Sequence, residues 1–283
     1  MPDAAAPRGA LAVANGLGAA EVHAHTTASD GMVSPRELVA AAAAVGLAVL
    51  CITDHDTMNG VAAAVDAGHR LGVDVVGGQE ITCAFPANTH VIGLFHDRPV
   101  RMGMSLEDTV DAVHDHGGLA ILAHPFMPTF FASAGPRRIR RLLEHRRVDG
   151  VELRHRAPMG PWGWDRLDAF YAGHREALGA ALGAGDSHFG SHDLGRLVTV
   201  FPGRSGADLR RAIESCATSP LAGPRPSPPT MALRLRQQQR SLVWLSQERR
   251  AGRVGGGAGP LRARVVPPLG GESRAGEGSA EQR

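Results

Sequence analysis

A chain of 283 residues, 43% of them apolar, is long enough for one large domain with a sizeable core or for two small ones. Its 30 basic residues face 28 acidic ones, and a net charge of +2 argues for neither nucleic acid nor a membrane surface as the partner. Every one of the basic residues is arginine, and the missing lysine excludes a P-loop phosphotransferase.

Residues 1–19 are Ala/Gly-rich and read as a flexible segment without the apolar core of a signal peptide. "EVHAHTTASDG" (21–31) reads as strand and turn: His23 and His25, two apart, point to one side, and Asp30 returns toward them from a Ser-Asp-Gly turn. "SPRE" (34–37) is a capping box, with Ser34 at the N-cap, Pro35 behind it and Glu37 reaching back. "LAVLCIT" (47–53), "VDVVG" (73–77), "HVIGLF" (90–95), "LAILA" (119–123), "VDGVEL" (148–153) and "ALGAALGAG" (177–185) read as strands. Between them, "SLEDTVDAVHDHGG" (105–118) predicts a helix from Ser105 to Gly117, and "PRRIRRLLEHRR" (136–147) a basic helix striped by Ile139, Leu142 and Leu143. Repeated βα units predict a parallel sheet, open or closed into a barrel.

Beyond residue 220 the character changes. "PLAGPRPSPP", "GRVGGGAGP" and "GGESRAGEGSAEQR" predict little order, with a basic helix over 230–250, capped by Thr230, between them. No run approaches the roughly 20 apolar residues of a membrane span. Cys51, Cys83 and Cys216 are odd in number and lack framework spacing, as expected of reduced thiols in a cytoplasmic protein.

The titratable residues gather at strand edges. Asp54, His55 and Asp56 follow the strand at 47–53, Glu80 follows 73–77 through "GGQE", and His90 opens the next strand. His124 closes "LAILAHP", and Asp186 and His188 follow 177–185 in "GAGDSHFG". In βα folds that edge is where loops build sites. One such acid or imidazole is commonplace, but a ring of them in successive units is poor packing material and good metal or catalytic material.

In this order, "VHAHTTASDG", "ITDHDTMNG", "GQE", "TH", "AHP" and "GDSH" resemble the PHP (polymerase and histidinol phosphatase) superfamily over about residues 20–203. The resemblance implies an α/β fold, a distorted (β/α)7 TIM-like barrel placed over residues 20–220, and composition adds a largely disordered tail over 221–283. It also implies a trinuclear metal centre on the C-terminal face of that barrel. One ion would take His23, His25, Glu80 and Asp186, a second His90 and His124 with Glu80 as bridge, and a third Asp30, His55 and His188. His23, His25, Glu80 and Asp186 are the implied catalytic core, with Glu21 beside it.

Imidazole and carboxylate ligands without thiolate suit Zn, Mn or Fe, as divalent ions at three per chain. Three such ions against Asp30, Glu80 and Asp186 leave a surplus of about +3, which matches a phosphate ester better than a neutral amide. The expected reaction is hydrolysis of a small phosphomonoester, nucleotide or short oligonucleotide by a metal-bridging hydroxide. Arg154, Arg156 and Arg196 are candidate phosphate clamps, and His155 and His192 candidate substrate contacts or general acids. Phe126, Phe130 and Phe131 are candidates for a lid that stacks on a base.

An amidohydrolase-type barrel also opens on HxH, but its common binuclear form needs a carboxylated lysine that this chain lacks. The alternative reading is a non-catalytic metal-binding PHP module with a regulatory or interaction role. Neither a membrane nor an obligate protein partner is expected, and deletion of 221–283 is expected to cost little activity.

Overall fold

The computed structural model describes residues 11, 13–128, 132–224 and 227–254. Strand β1 (Leu17–Glu21) is followed by α1 (Pro35–Val45), β2 (Val49–Ile52), α2 (Val61–Leu71) and β3 (Asp74–Thr82). Then come β4 (His90–Leu94), α3 (Leu106–Asp115), β5 (Leu119–Leu122), α4 (Pro136–Leu143), β6 (Gly150–Arg154), α5 (Pro161–Leu178) and β7 (Ala180–Gly183). The last elements are β8 (Leu197–Pro202), α6 (Gly206–Glu214), β9 (Ser219–Ala222) and α7 (Met231–Val254). Helix α1 carries the capping box, with the Ser34 and Glu37 side chains each bonded to the other's backbone. Ser105 caps α3.

The strands form one sheet in the order β7-β6-β5-β4-β3-β2-β1-β8-β9. Its two ends meet: the Thr199 hydroxyl of β8 bridges the Gly183 N–H and carbonyl of β7, and Thr218 donates to Ala181 O at 2.8 Å. The result is a nearly closed barrel. Side chains alternate between its interior and its helical jacket, Val49 and Cys51 inside against Leu50 and Ile52 outside on β2.

The sheet departs from the all-parallel expectation at β4 and β8, each antiparallel to both neighbours. Because β4 runs the other way, its first residue, His90, reaches the same rim as the last residues of β1, β2, β3 and β5. The same inversion brings the segment before β8 to that rim. Glu80 lies inside β3 and not beyond it, since β3 runs to Thr82 by pairing with β4. His23 and His25 lie just past β1 in extended chain, tied to the barrel by the Ala24–Ser187 bridge.

Two boundaries also differ from expectation. Residues 17–19 already belong to β1, and buried Leu11 donates its N–H to Val45 O, so order begins before residue 20. At the other end β9 straddles residue 220, while α7 stands where a helix over 230–250 was expected. Thr230 caps α7 as expected, accepting from Leu233 N at 3.2 Å. No described helix is long and apolar enough to cross a membrane.

Candidate metal centre

Glu80 is the hub of the rim. Its Oε2 lies 3.1 Å from His23 Nε2, 3.2 Å from His25 Nε2 and 3.1 Å from His55 Nδ1. Its Oε1 faces His90 Nδ1 at 2.6 Å and His124 Nε2 at 3.1 Å. One buried carboxylate thus addresses two separate sets of imidazoles. Burial pushes its carboxyl up, but the charges of His90, His23 and His55 outweigh that and hold it well below the usual range.

Two further carboxylates complete the ring. Asp186 Oδ1 lies 3.5 Å from His23 Nε2, 3.3 Å from His25 Nε2 and 3.3 Å from His188 Nδ1. Asp30 Oδ1 lies 3.3 Å from His188 Nε2, 3.8 Å from His25 Nδ1 and 3.9 Å from His55 Nε2. Ligand-type atoms of three groups approach within 4.8 Å of one another: His25, Asp30, His55 and His188; His23, His25 and Asp186; His55, Glu80 and His90. The grouping differs in detail from the carried-over one, with His25 beside Asp30 and His55 beside Glu80. His124 joins through its contact to Glu80.

These residues fit divalent ions. Buried Nδ1 of His25, Nδ1 of His90, Nδ1 of His124 and Oδ1 of Asp30 make no hydrogen bond among the described residues, although charged or polar neighbours crowd them. Buried polar atoms packed together without hydrogen-bond geometry carry a cost that a cation would remove. His23 Nε2 and His25 Nε2 stand 3.0 Å apart. His23 Nδ1 is spent on Glu152 Oε1 at 2.7 Å, so Nε2 turns its lone pair toward the cluster, as in a metal-ligating tautomer.

Glu152 was not among the sequence candidates. It is fully buried on β6, and its second oxygen accepts from His124 N at 2.6 Å, so one carboxylate positions two rim histidines. An acid inside the apolar "VDGVEL" was the only signal available. Other acids shape the loops. Asp54 accepts from Thr26 N, Thr26 Oγ1 and Ser29 Oγ, which folds the turn carrying Asp30. Asp56 ties to Thr82. Neither caps α2. Glu21 accepts from Gly185 N at 2.8 Å, and burial lifts its carboxyl to about 8. Gly185 has no room for a side chain, because the Glu21 carboxylate stands where its Cβ would be. His124 and Asp186 both hold left-handed backbone, with φ of +28° and +47°, a strain that concentrates at functional rims.

Comparison with known proteins follows the same line. The PHP domain family model matches residues 21–143. The protein MJ1587 of Methanocaldococcus jannaschii is 33% identical over 120 residues, covering 38% of this chain and 68% of that protein. The 3',5'-nucleoside bisphosphate phosphatase of Chromobacterium violaceum is 29% identical over 204 residues, 63% of this chain and 69% of that one. This chain belongs to the PHP domain family. Among solved structures, a two-domain Bacteroides vulgatus protein containing a predicted PHP-like metal-dependent phosphoesterase shares the fold. Its TM-score is 0.61 at 18% identity, over 84% of this chain and 75% of that one.

In this PHP domain the substrate candidates separate into two sets. Arg154 is turned to another task than the expected phosphate clamp: Asp168 takes both ends of its guanidinium, at 2.7 and 2.9 Å, and Trp164 lies beneath it. His155 is likewise committed, with Nε2 on Pro125 O at 3.0 Å and Nδ1 accepting from Ala157 N. Burial brings its pKa down to about 4, in keeping with the neutral imidazole that these two hydrogen bonds hold. Arg156, His192 and Arg196, by contrast, line one cavity of about 460 Å³ with Phe189 and Asp193. Phe126 packs on Phe170 instead of standing free as a lid, while Phe130 and Phe131 lie outside the described residues.

Proposed function

We propose that this PHP domain is a metal-dependent phosphoesterase that hydrolyses a small phosphomonoester, nucleotide or short oligonucleotide at a centre of three divalent ions. His23, His25, Asp30, His55, Glu80, His90, His124, Asp186 and His188 would hold the ions. The observation that carries the reading is the Glu80 carboxylate, whose two oxygens face different imidazole sets in the manner of a bridge. When bound, such ions supply an acidified water as nucleophile and neutralise the phosphoryl oxygens.

The chain's own residues do the rest. Glu152 fixes the His23 tautomer and orients the backbone of His124. Asp193 holds the loop of Asp186 and His188 by accepting from Ser187 Oγ, His188 N and Phe189 N. It also holds Arg156 at 2.9 Å, which keeps a guanidinium beside the loop of Asp186 and His188 and supports a role for it in binding an anionic substrate. The substrate of the Chromobacterium violaceum relative makes nucleoside bisphosphates the first compounds to try.

The test is phosphate release from mononucleotides, nucleoside bisphosphates and sugar phosphates by metal-loaded protein. Release is expected, and it should fall by at least about a thousandfold in Glu80→Ala and Asp186→Ala with the fold retained by circular dichroism. Full metal occupancy with no turnover on any phosphate would favour the non-catalytic module.

A further inference from the structure

The 460 Å³ cavity is not a property of the barrel alone. Arg156, Phe189, His192, Asp193 and Arg196 form its barrel side, and Pro228, Pro229 and Arg234 of the C-terminal segment form the other. That segment is fastened to the rim at several points. His192 Nδ1 donates to Ser227 O at 3.2 Å, and Arg240 donates to Thr27 O at 2.6 Å and Ser29 O at 3.0 Å. Gln237 donates to Asp30 Oδ2 at 3.0 Å, leaving Oδ1 of that carboxylate turned to the histidines. Helix α7 therefore packs on the loop that carries one of the candidate ligands, although its sequence showed no apolar stripe to dock with.

The lining is cationic. Three guanidinium groups face one carboxylate, and that carboxylate, Asp193, is already shared among Arg156 and three donors of the adjoining loop. Phe189, in the cavity wall, directly follows His188 at the rim, so the cavity and the candidate metal centre are neighbours along the chain and in space. A cavity with surplus positive charge beside a phosphate-processing centre suits a second anionic group on the same substrate.

We propose that residues 227–240 wall a second phosphate subsite, in which Arg234 joins Arg196 and Arg156 around a phosphate other than the one hydrolysed. The proposal rests on the phosphoesterase reading for what lies next door, and it assigns α7 a specificity role in place of the dispensable tail expected from sequence. The second phosphate is either the terminal group of a nucleoside bisphosphate or the next diester of a short oligonucleotide.

The test is calorimetric binding to the full-length protein stripped of metal, using adenosine 3',5'-bisphosphate, a 5'-phosphorylated dinucleotide and adenosine monophosphate. The parent is expected to prefer a two-phosphate ligand. Arg234→Ala and Arg196→Ala should each weaken that ligand by about tenfold more than the monophosphate, the loss of one charged hydrogen bond. The ligand with the larger loss identifies the source of the second phosphate. A parent without that preference, or variants that weaken all ligands alike, would overturn the subsite. Since binding is read without metal, a failed subsite leaves hydrolysis standing, and absent hydrolysis leaves the subsite standing.

Discussion

On one side of the rim, the ends of β1, β2, β3, β5 and β7 and the start of β4 carry imidazoles and carboxylates that are buried or nearly so. On the other, the end of β6, Arg196 just before β8 and α7 present arginines that stay in contact with water. The buried side has no freedom in residue type. Three carboxylates and six imidazoles sharing such a space need each ring oriented and the acids' charges balanced, which bound cations would do. The exposed side has ample freedom, because a solvated guanidinium costs little wherever it points and takes whichever acid is near. Arg154 took Asp168, and Arg156 took Asp193. The buried side should therefore be brittle and the exposed side tolerant.

The largest effect expected after the ligands themselves lies at Glu152. In Glu152→Gln the His23 ring loses its charged partner, and metal affinity should fall by about 10- to 100-fold, read by competition with a chelator. An unchanged affinity would mean that His23 is oriented by packing alone and that the contrast between the two sides is overstated.

A stability effect comes next, at His155. Its folded pKa of about 4 lies below the unfolded value near 6.5, so the unfolded chain binds more protons in that window and stability falls as pH drops through it. From about pH 7 to pH 5 that share is about 2 kcal/mol, and it should vanish from the urea-unfolding difference in His155→Gln. An undiminished acid loss in the variant would show that His155 is not buried neutral.

The smallest effect belongs to Arg154. With both partners half in solvent, Arg154→Ala should cost no more than about 1 kcal/mol in stability and leave phosphate release close to the parent's. A large loss of activity would return Arg154 to the substrate site and blur the distinction between the two sides.

The same contrast explains what could be read from the amino acids alone. His23, His25, His55, His124, Asp186 and His188 were legible because each directly follows an apolar run that had to be a strand or its approach. His90 was legible as a residue but not in its direction, since nothing local announces that β4 is inverted. Glu152 was hidden because one acid in a short strand looks like an outward-facing position until two histidines are seen to need it. Strands β8 and β9 and helices α5 and α6 went unread, their short or broken apolar patterns falling outside the βα rhythm. The contact of Gln237 with Asp30 spans 207 residues and leaves no mark in either segment. Arg234 was no more visible, one arginine among many in a helix without a face.

The most direct test of the centre itself is a metal count on the purified chain. After reconstitution with Zn, Mn or Fe and removal of excess, elemental analysis should find about three ions per parent chain, and fewer than two in Glu80→Ala with the fold kept. A parent that retains no more than one ion, or a Glu80→Ala variant that keeps the full complement, would contradict the bridging role on which the whole account of the rim rests.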